Sequence, residues 1–285
     1  MENKYRVKTS FSRIDRDELE TRRCFYLSVE GNCTEREYFE CLERFKKELG
    51  LNTHVIVAVL RRQSDDNHSV PAEVIELLDE FINLHNGEID PETFGLDKNI
   101  LEMFSKEELK AFLNDEGSLS DAKEREIEAK LKPCGFGLCY RNFVRDYDPE
   151  KDIFAAIIDR DLHSHSRGMM EECIRDCEKK GYNLYITNPC FEFWLLMHKS
   201  DIRREYGDCL EEIKANRKIS NKHTYVSALL SEKAHHGKKR IGFEHNYLPN
   251  VDYAMEQSKS FETDKHKLVD NIGSNLAELI ENMRK

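Results

Sequence analysis

The sequence predicts an α/β fold, a parallel sheet flanked by helices, with a helical insertion and a helical C-terminal region. Three observations predict it. Short apolar runs alternate with segments whose apolar residues recur at helical spacing. One run, IFAAII at residues 153–158, is apolar without a break, as a strand buried on both faces of a parallel sheet must be. Several runs also end in polar residues: Glu30 after FYLSV, Asp159 after IFAAII and Asn188 after YNLYIT. In such sheets ligands bind at the carboxyl ends of strands.

Each element can be justified in chain order. Residues 1–22 are polar and read as an arm, and residues 23–285 as one domain. Residues 25–29 are the first strand. Residues 34–49 are a helix, with Tyr38, Phe39, Leu42, Phe45 and Leu49 on one face. Thr34 with Glu37 three residues on has the form of a capping box. Residues 53–60, THVIVAVL, are a β-branched second strand. Residues 70–84 are a second helix with Pro71 in its first turn. Residues 86–135 are charged, show no strong strand, and read as a helical insertion with short helices at 105–113 and 120–131. The third strand is 153–158. A helix at 167–180 follows, with Gly181 at its C-cap. The fourth strand is 182–187. Pro189 precedes a short helix at 190–198. Residues 199–285 are basic in part and mostly helical, with a last helix at 276–283.

The strand ends carry an acidic constellation. In extended backbone, residues two apart point the same way, so Asp159 and Asp161 of IIDRDL can share a target while Arg160 turns aside. Glu30 lies at the end of another strand of the same sheet. Clustered carboxylates repel one another in a partly dry cleft, and a hard divalent cation, Mg²⁺ or Mn²⁺, relieves that repulsion. Such an ion can orient a phosphate and activate a water. Glu35, in the first helical turn, suits either this site or the helix dipole. His163, just after the pair, is placed for acid–base work or phosphate contact, or simply for solvent. Glu192 sits inside the apolar helix FEFWLLMH, where a charge must face a cleft or a partner. Trp194 beside it reads as core.

Charge is unevenly spread. Residues 73–128 hold seventeen acidic and five basic side chains, whereas 214–240 hold eight basic and one acidic. The net charge of −11 excludes generic polyanion binding by the whole surface but not a local basic groove. Lys214, Arg217, Lys218, Lys222, Lys238, Lys239 and Arg240 are the candidate phosphate-binding, nucleic-acid-binding set. The nine cysteines form no disulfide or zinc framework, and the opening segment lacks the apolar core of a signal peptide. These features predict a cytoplasmic protein, and no apolar run has transmembrane length. There is no P-loop and no GxGxxG, which argues against nucleotide hydrolysis by this chain.

Three blocks carry a family resemblance: VEGNCTEREYF (29–39), IIDRD (157–161) and TNPCFEFWLLMH (187–198). In this order they resemble the signature of the RloB-like (AbiLii) abortive-infection family. DNIGSNLAELIENM (270–283) is similar to its C-terminal segment. The resemblance implies a Toprim-like (Rossmann-like) core. It implies that Glu30, Asp159 and Asp161 hold Mg²⁺ or Mn²⁺ and act on nucleic-acid phosphodiesters, DNA or RNA, with tRNA within that range. Glu35 matches the second glutamate of the family's EGxxTE pattern, and Asn188 and Glu192 match its NPCFE block. It further implies a role against phage beside an AAA- or ABC-type ATPase. Whether the chain forms homo-oligomers is open. Two other readings remain open: a non-catalytic ligand- or partner-sensing subunit of an ATPase complex, and a metal-dependent phosphotransfer enzyme acting on a small molecule. The acidic insertion departs from the compact family pattern, and an acidic lobe beside the cleft would repel nucleic acid.

Overall fold

The computed structural model describes residues 22–31, 33–60, 70–87, 89–92, 96, 98–114, 116–134, 147–234 and 241–285. Residues 1–21 of the predicted arm, and Lys238, Lys239 and Arg240, lie outside the described residues.

Five strands form one sheet: β1 (Arg23–Val29), β2 (Val55–Val59), β3 (Ile153–Asp159), β4 (Asn183–Asn188) and β5 (Gly273–Ser274). Their order is β2-β1-β3-β4-β5. The first four run parallel, as predicted, and β5 pairs antiparallel to β4. The two-residue β5 is too short to leave a periodic signal. It exists because its backbone is gripped on both sides: Gly273 bridges Glu262, where any added Cβ would overlap the Glu262 backbone.

The helices are α1 (Thr34–Arg44), α2 (Pro71–Asn86), α3 (Lys98–Met103), α4 (Lys106–Leu113), α5 (Asp121–Cys134), α6 (Arg167–Lys180) and α7 (Phe191–Met197). The C-terminal part adds α8 (Ile202–Tyr206), α9 (Leu210–Ala215), α10 (Tyr225–Lys233), α11 (Phe243–Asn246), α12 (Val251–Ser258), α13 (Lys265–Leu268) and α14 (Leu276–Arg284). Side chains alternate across each strand, so the sheet has two apolar faces. Phe25, Leu27, Ala155 and Ile157 face one core with α1, α7 and most of the C-terminal helices. Tyr26, Phe154, Ala156 and Ile158 face the other, with α2, α6 and the insertion helices α3 to α5. Trp194 is fully buried core, as its sequence context predicts.

Two local expectations fail. The predicted Thr34–Glu37 capping box does not form: Cys33 is the N-cap and offers no side-chain bond. The Glu37 carboxylate instead accepts the N–H of Ile241, at 2.9 Å. A tertiary backbone donor outcompetes the local one. The helix also ends at Arg44 rather than at residue 49, although Leu49 is buried as predicted. The end of the helix and the turn after it guard the sheet edge. Glu43 accepts the N–H of Val57 at 2.8 Å, and Lys46 donates to the carbonyl of Val55 at 3.1 Å.

Candidate functional site

Register fixes where the strand-end residues emerge. Val29 pairs with Ile157, and Asp159 with Thr187, so Glu30, Asp159 and Asn188 leave the sheet at one edge. Glu30 accepts the N–H of Asp159 through Oε2 at 2.9 Å. Its Oε1 lies 3.6 Å from His165 Nε2. Asn188 is fully buried and donates to the Leu268 carbonyl at 2.7 Å, which makes it a strut rather than a cleft residue.

Asp159 is ringed by acids. Its carboxyl group is raised well above the usual carboxylate range, first by burial and then by Glu30, Glu35 and Glu192, although it accepts the N–H of Phe191 at the start of α7. Glu35 is 7% exposed. Burial, Glu192 and Glu30 raise it to about 8 from an ordinary 4.5. Its carboxylate fills the space beside Gly31, where an added Cβ would overlap it. Gly31 is therefore favoured by packing against Glu35 and not by a left-handed backbone.

The tightest electrostatic group is Glu30, Glu35, Asp159 and Glu192, with Asp161 at the rim. Asp161 caps its own turn, accepting from the His163 N–H at 3.1 Å and from the Ser164 hydroxyl. Arg160 turns aside as predicted: its buried guanidinium donates to the carbonyls of Val269 and His165, both at 2.6 Å. His163 donates through Nε2 to the Ala215 carbonyl at 2.8 Å. The neighbouring His165 is the buried histidine, bonded through Nδ1 to the Asp159 carbonyl at 2.9 Å. The spacing of DLHSHS places both histidines near the acids but does not say which one the turn folds inward.

A cleft of about 460 Å³ brings these residues together, with Glu30, Asp159, Asp161, His163, Cys190 and Glu192 on one side. The other side holds Asn216, Lys218, Lys222, Thr224 and Ser227, from the segment between α9 and α10. Lys218 and Thr224 form an antiparallel bridge that shapes this wall. Asn216 pins the wall to the floor. Its Nδ2 donates to Cys190 Sγ at 3.3 Å and its Oδ1 accepts the Val226 N–H at 2.9 Å. Its left-handed backbone, with φ of 40°, closes α9 in the manner that favours Asn or Gly. That helix-stop signal is the one trace of Asn216 in the sequence. Lys214 is half-buried and Arg217 exposed, but neither lines the cleft. Among the described residues no carboxylate pairs with Lys218 or Lys222.

The donor set fits a hard divalent cation in its chemistry. It is all oxygen, carries excess negative charge and is largely desolvated. The proton uptake that relieves the repulsion at Glu35 is what a cation would replace. Among the described residues, however, no three acidic, His or Cys side chains stand ready as a closed metal cage. Glu30 and Asp161 point at protein donors, and their carboxylates would have to rotate to take an ion.

The family model described as RloB-like protein matches residues 25–283. No curated protein and no solved structure matches the chain. No described helix is long and apolar enough to cross a membrane.

Proposed function

Because the chain belongs to the RloB-like family, we propose that it is a Toprim-like, divalent-metal-dependent nuclease, cytoplasmic, acting in anti-phage defence with an ATPase partner. The observation that carries this reading is a single cleft in which crowded carboxylates face two lysines that pair with no described acid. Lys218 and Lys222, which line the cleft, would bind the phosphate of a DNA or RNA strand. Glu30 and Asp159, joined by Asp161 and Glu192, would hold Mg²⁺ or Mn²⁺. When bound, the ion would neutralise the phosphate and activate a water.

Each protein group then has a task. Phe191 donates its N–H to the Asp159 carboxylate and fixes its direction. Asp159 in turn orients Glu30 through its own N–H. Glu35 stores a proton at its carboxyl group while the cluster is uncompensated. His163, with Nε2 bound to Ala215, has Nδ1 as the atom for proton transfer. A second reading, a non-catalytic sensing subunit, is favoured by one observation: Glu30 and Asp161 are satisfied by protein donors without any ion.

Purified chain, with and without its ATPase, is incubated with DNA and with total RNA in Mg²⁺ or Mn²⁺. Cleavage should appear, and both Glu30→Gln and Asp159→Asn should reduce it by about two orders of magnitude or more. Wild-type cleavage by both variants would refute the site. No cleavage under any condition, with the ATPase or a phosphate ligand still bound, would favour the sensing subunit.

A further inference from the structure

The wall that faces the acids is a loop closed by one residue. Asn216 begins it, and its Oδ1 accepts the N–H of Val226, ten residues on, at 2.9 Å. Lys218 and Lys222 both lie between those two positions. The Arg217 carbonyl accepts the Tyr225 N–H at 2.9 Å, and Lys218 bridges Thr224, so the two arms of the loop are held together. Asn216 is 8% exposed yet lines the cleft, as does Cys190, to whose sulfur its Nδ2 donates at 3.3 Å. The Cys190 thiol is hydrogen-bonded in turn to Glu192. One amide thus links the lysine wall to the acids.

Most other donors on this wall are already engaged. At the N-terminus of α10, the N–H groups of Tyr225, Val226 and Ser227 go to Arg217, Asn216 and Thr224. The Thr224 hydroxyl donates to Ser227, and the Ser227 hydroxyl to the Thr224 carbonyl. An amide nitrogen, however, carries two protons. Nδ2 of Asn216 gives one to Cys190, and among the described residues no partner takes the other. Turning the amide end for end would not remove this spare donor without loss, because Nδ2 would then meet the Val226 N–H, donor against donor. A neutral donor, more than nine-tenths buried, therefore shares the wall with two ammonium groups. Amide side chains bind phosphate oxygens, and a buried donor without an acceptor costs free energy that such an oxygen would recover.

We propose that Asn216 is a phosphate-binding residue of the cleft, its second Nδ2 proton donating to a phosphate oxygen whose charge Lys218 and Lys222 offset. The proposal rests on the nuclease reading only for the macromolecule that carries the phosphate. Because the same amide closes the loop, it couples phosphate contact to the position of the lysine wall.

Binding to the full chain is measured with two probes. One is inorganic pyrophosphate, read by calorimetry in Mg²⁺. The other is labelled DNA or RNA of about 20 nucleotides, single-stranded or duplex, read by anisotropy in Ca²⁺. Asn216→Gly tolerates the φ of 40° and should weaken whichever probe the wild type binds by about tenfold. For nucleic acid, the slope of log affinity against log salt should stay as in wild type, whereas Lys218→Ala should lower it by about one. Asn216→Asp keeps the acceptor for Val226 and should weaken binding about a hundredfold, since two bare oxygens then face each other. It decides the matter if circular dichroism melting shows Asn216→Gly unfolded. Wild-type affinity in Asn216→Gly, or a loss under about tenfold in Asn216→Asp, would overturn the proposal. So would a slope that falls as in Lys218→Ala, because Asn216 would then act only by holding the lysines, and so would a wild type that binds neither probe. The expected losses on pyrophosphate, with no nucleic acid bound by the wild type, would uphold the proposal and sink the nuclease. Nucleic-acid binding untouched by either variant would leave the nuclease standing without it.

Discussion

A methyl group added at Gly31 would fall on the Glu35 carboxylate, so the two positions are coupled through space that only one of them can fill. Gly31→Ala should cost about 1–3 kcal/mol of stability, as overpacking does. In a Glu35→Ala background the same change should come within about 0.5 kcal/mol of neutral. Urea unfolding in EDTA measures both, and equal costs in the two backgrounds would show that the contact is not what fixes the glycine. At this scale the sequence was partly legible. Glu30 and Asp159 stand out because each ends an apolar strand, and strand ends have one physical meaning in a parallel sheet. Glu35 was ambiguous because a carboxylate in a first helical turn is favourable anyway. Only its burial against Gly31 and Glu192 separates the two readings. His165 and Asn216 were missed because their roles depend on how a turn folds, not on spacing.

Strand β2 ends the sheet with its outer backbone groups turned away from β1. The end of α1 and the turn after it cover two of them, Glu43 accepting from Val57 and Lys46 donating to Val55. An edge strand left bare invites pairing with another chain. Glu43→Ala combined with Lys46→Ala should therefore give concentration-dependent self-association in sedimentation velocity, where the wild type shows less. Identical profiles at every concentration would mean that other groups guard the edge. Elements with strong local signals were readable from sequence. The helix at 167–180 carries both an N-cap serine, Ser166, and a left-handed Gly181, and its predicted bounds match the structure. Helix α4 has its own Ser105–Glu108 capping box. By contrast β5 owes its existence to contacts with Glu262 and β4, which no local pattern encodes.

For the whole molecule, the acidic cluster makes stability depend on pH with an unusual sign. Between the ordinary 4.5 and the folded value of about 8, Glu35 keeps a proton in the native state that the unfolded chain has released. Stability therefore falls as pH rises through that window and is highest, for this group, below it. In EDTA, the melting temperature of Glu35→Gln relative to wild type should climb from pH 4.5 to 8 and then level off. A flat difference would show that the Glu35 charge is not desolvated in the native state. The same scale resolves the concern about the insertion. Its described apolar residues pack on the sheet face shared with α2 and α6, and none of its described residues lines the cleft. The described part of the acid-rich stretch 73–128 thus packs on one face of the sheet, and the C-terminal helices beside the lysine-bearing wall pack on the other. Among the described residues this separation contributes a dipole across the sheet. A polyanion diffusing toward a molecule of net charge −11 meets a torque as well as a repulsion. If the cleft takes a nucleic-acid strand, as proposed, the surplus negative charge would act as a rudder, turning the open cleft toward it.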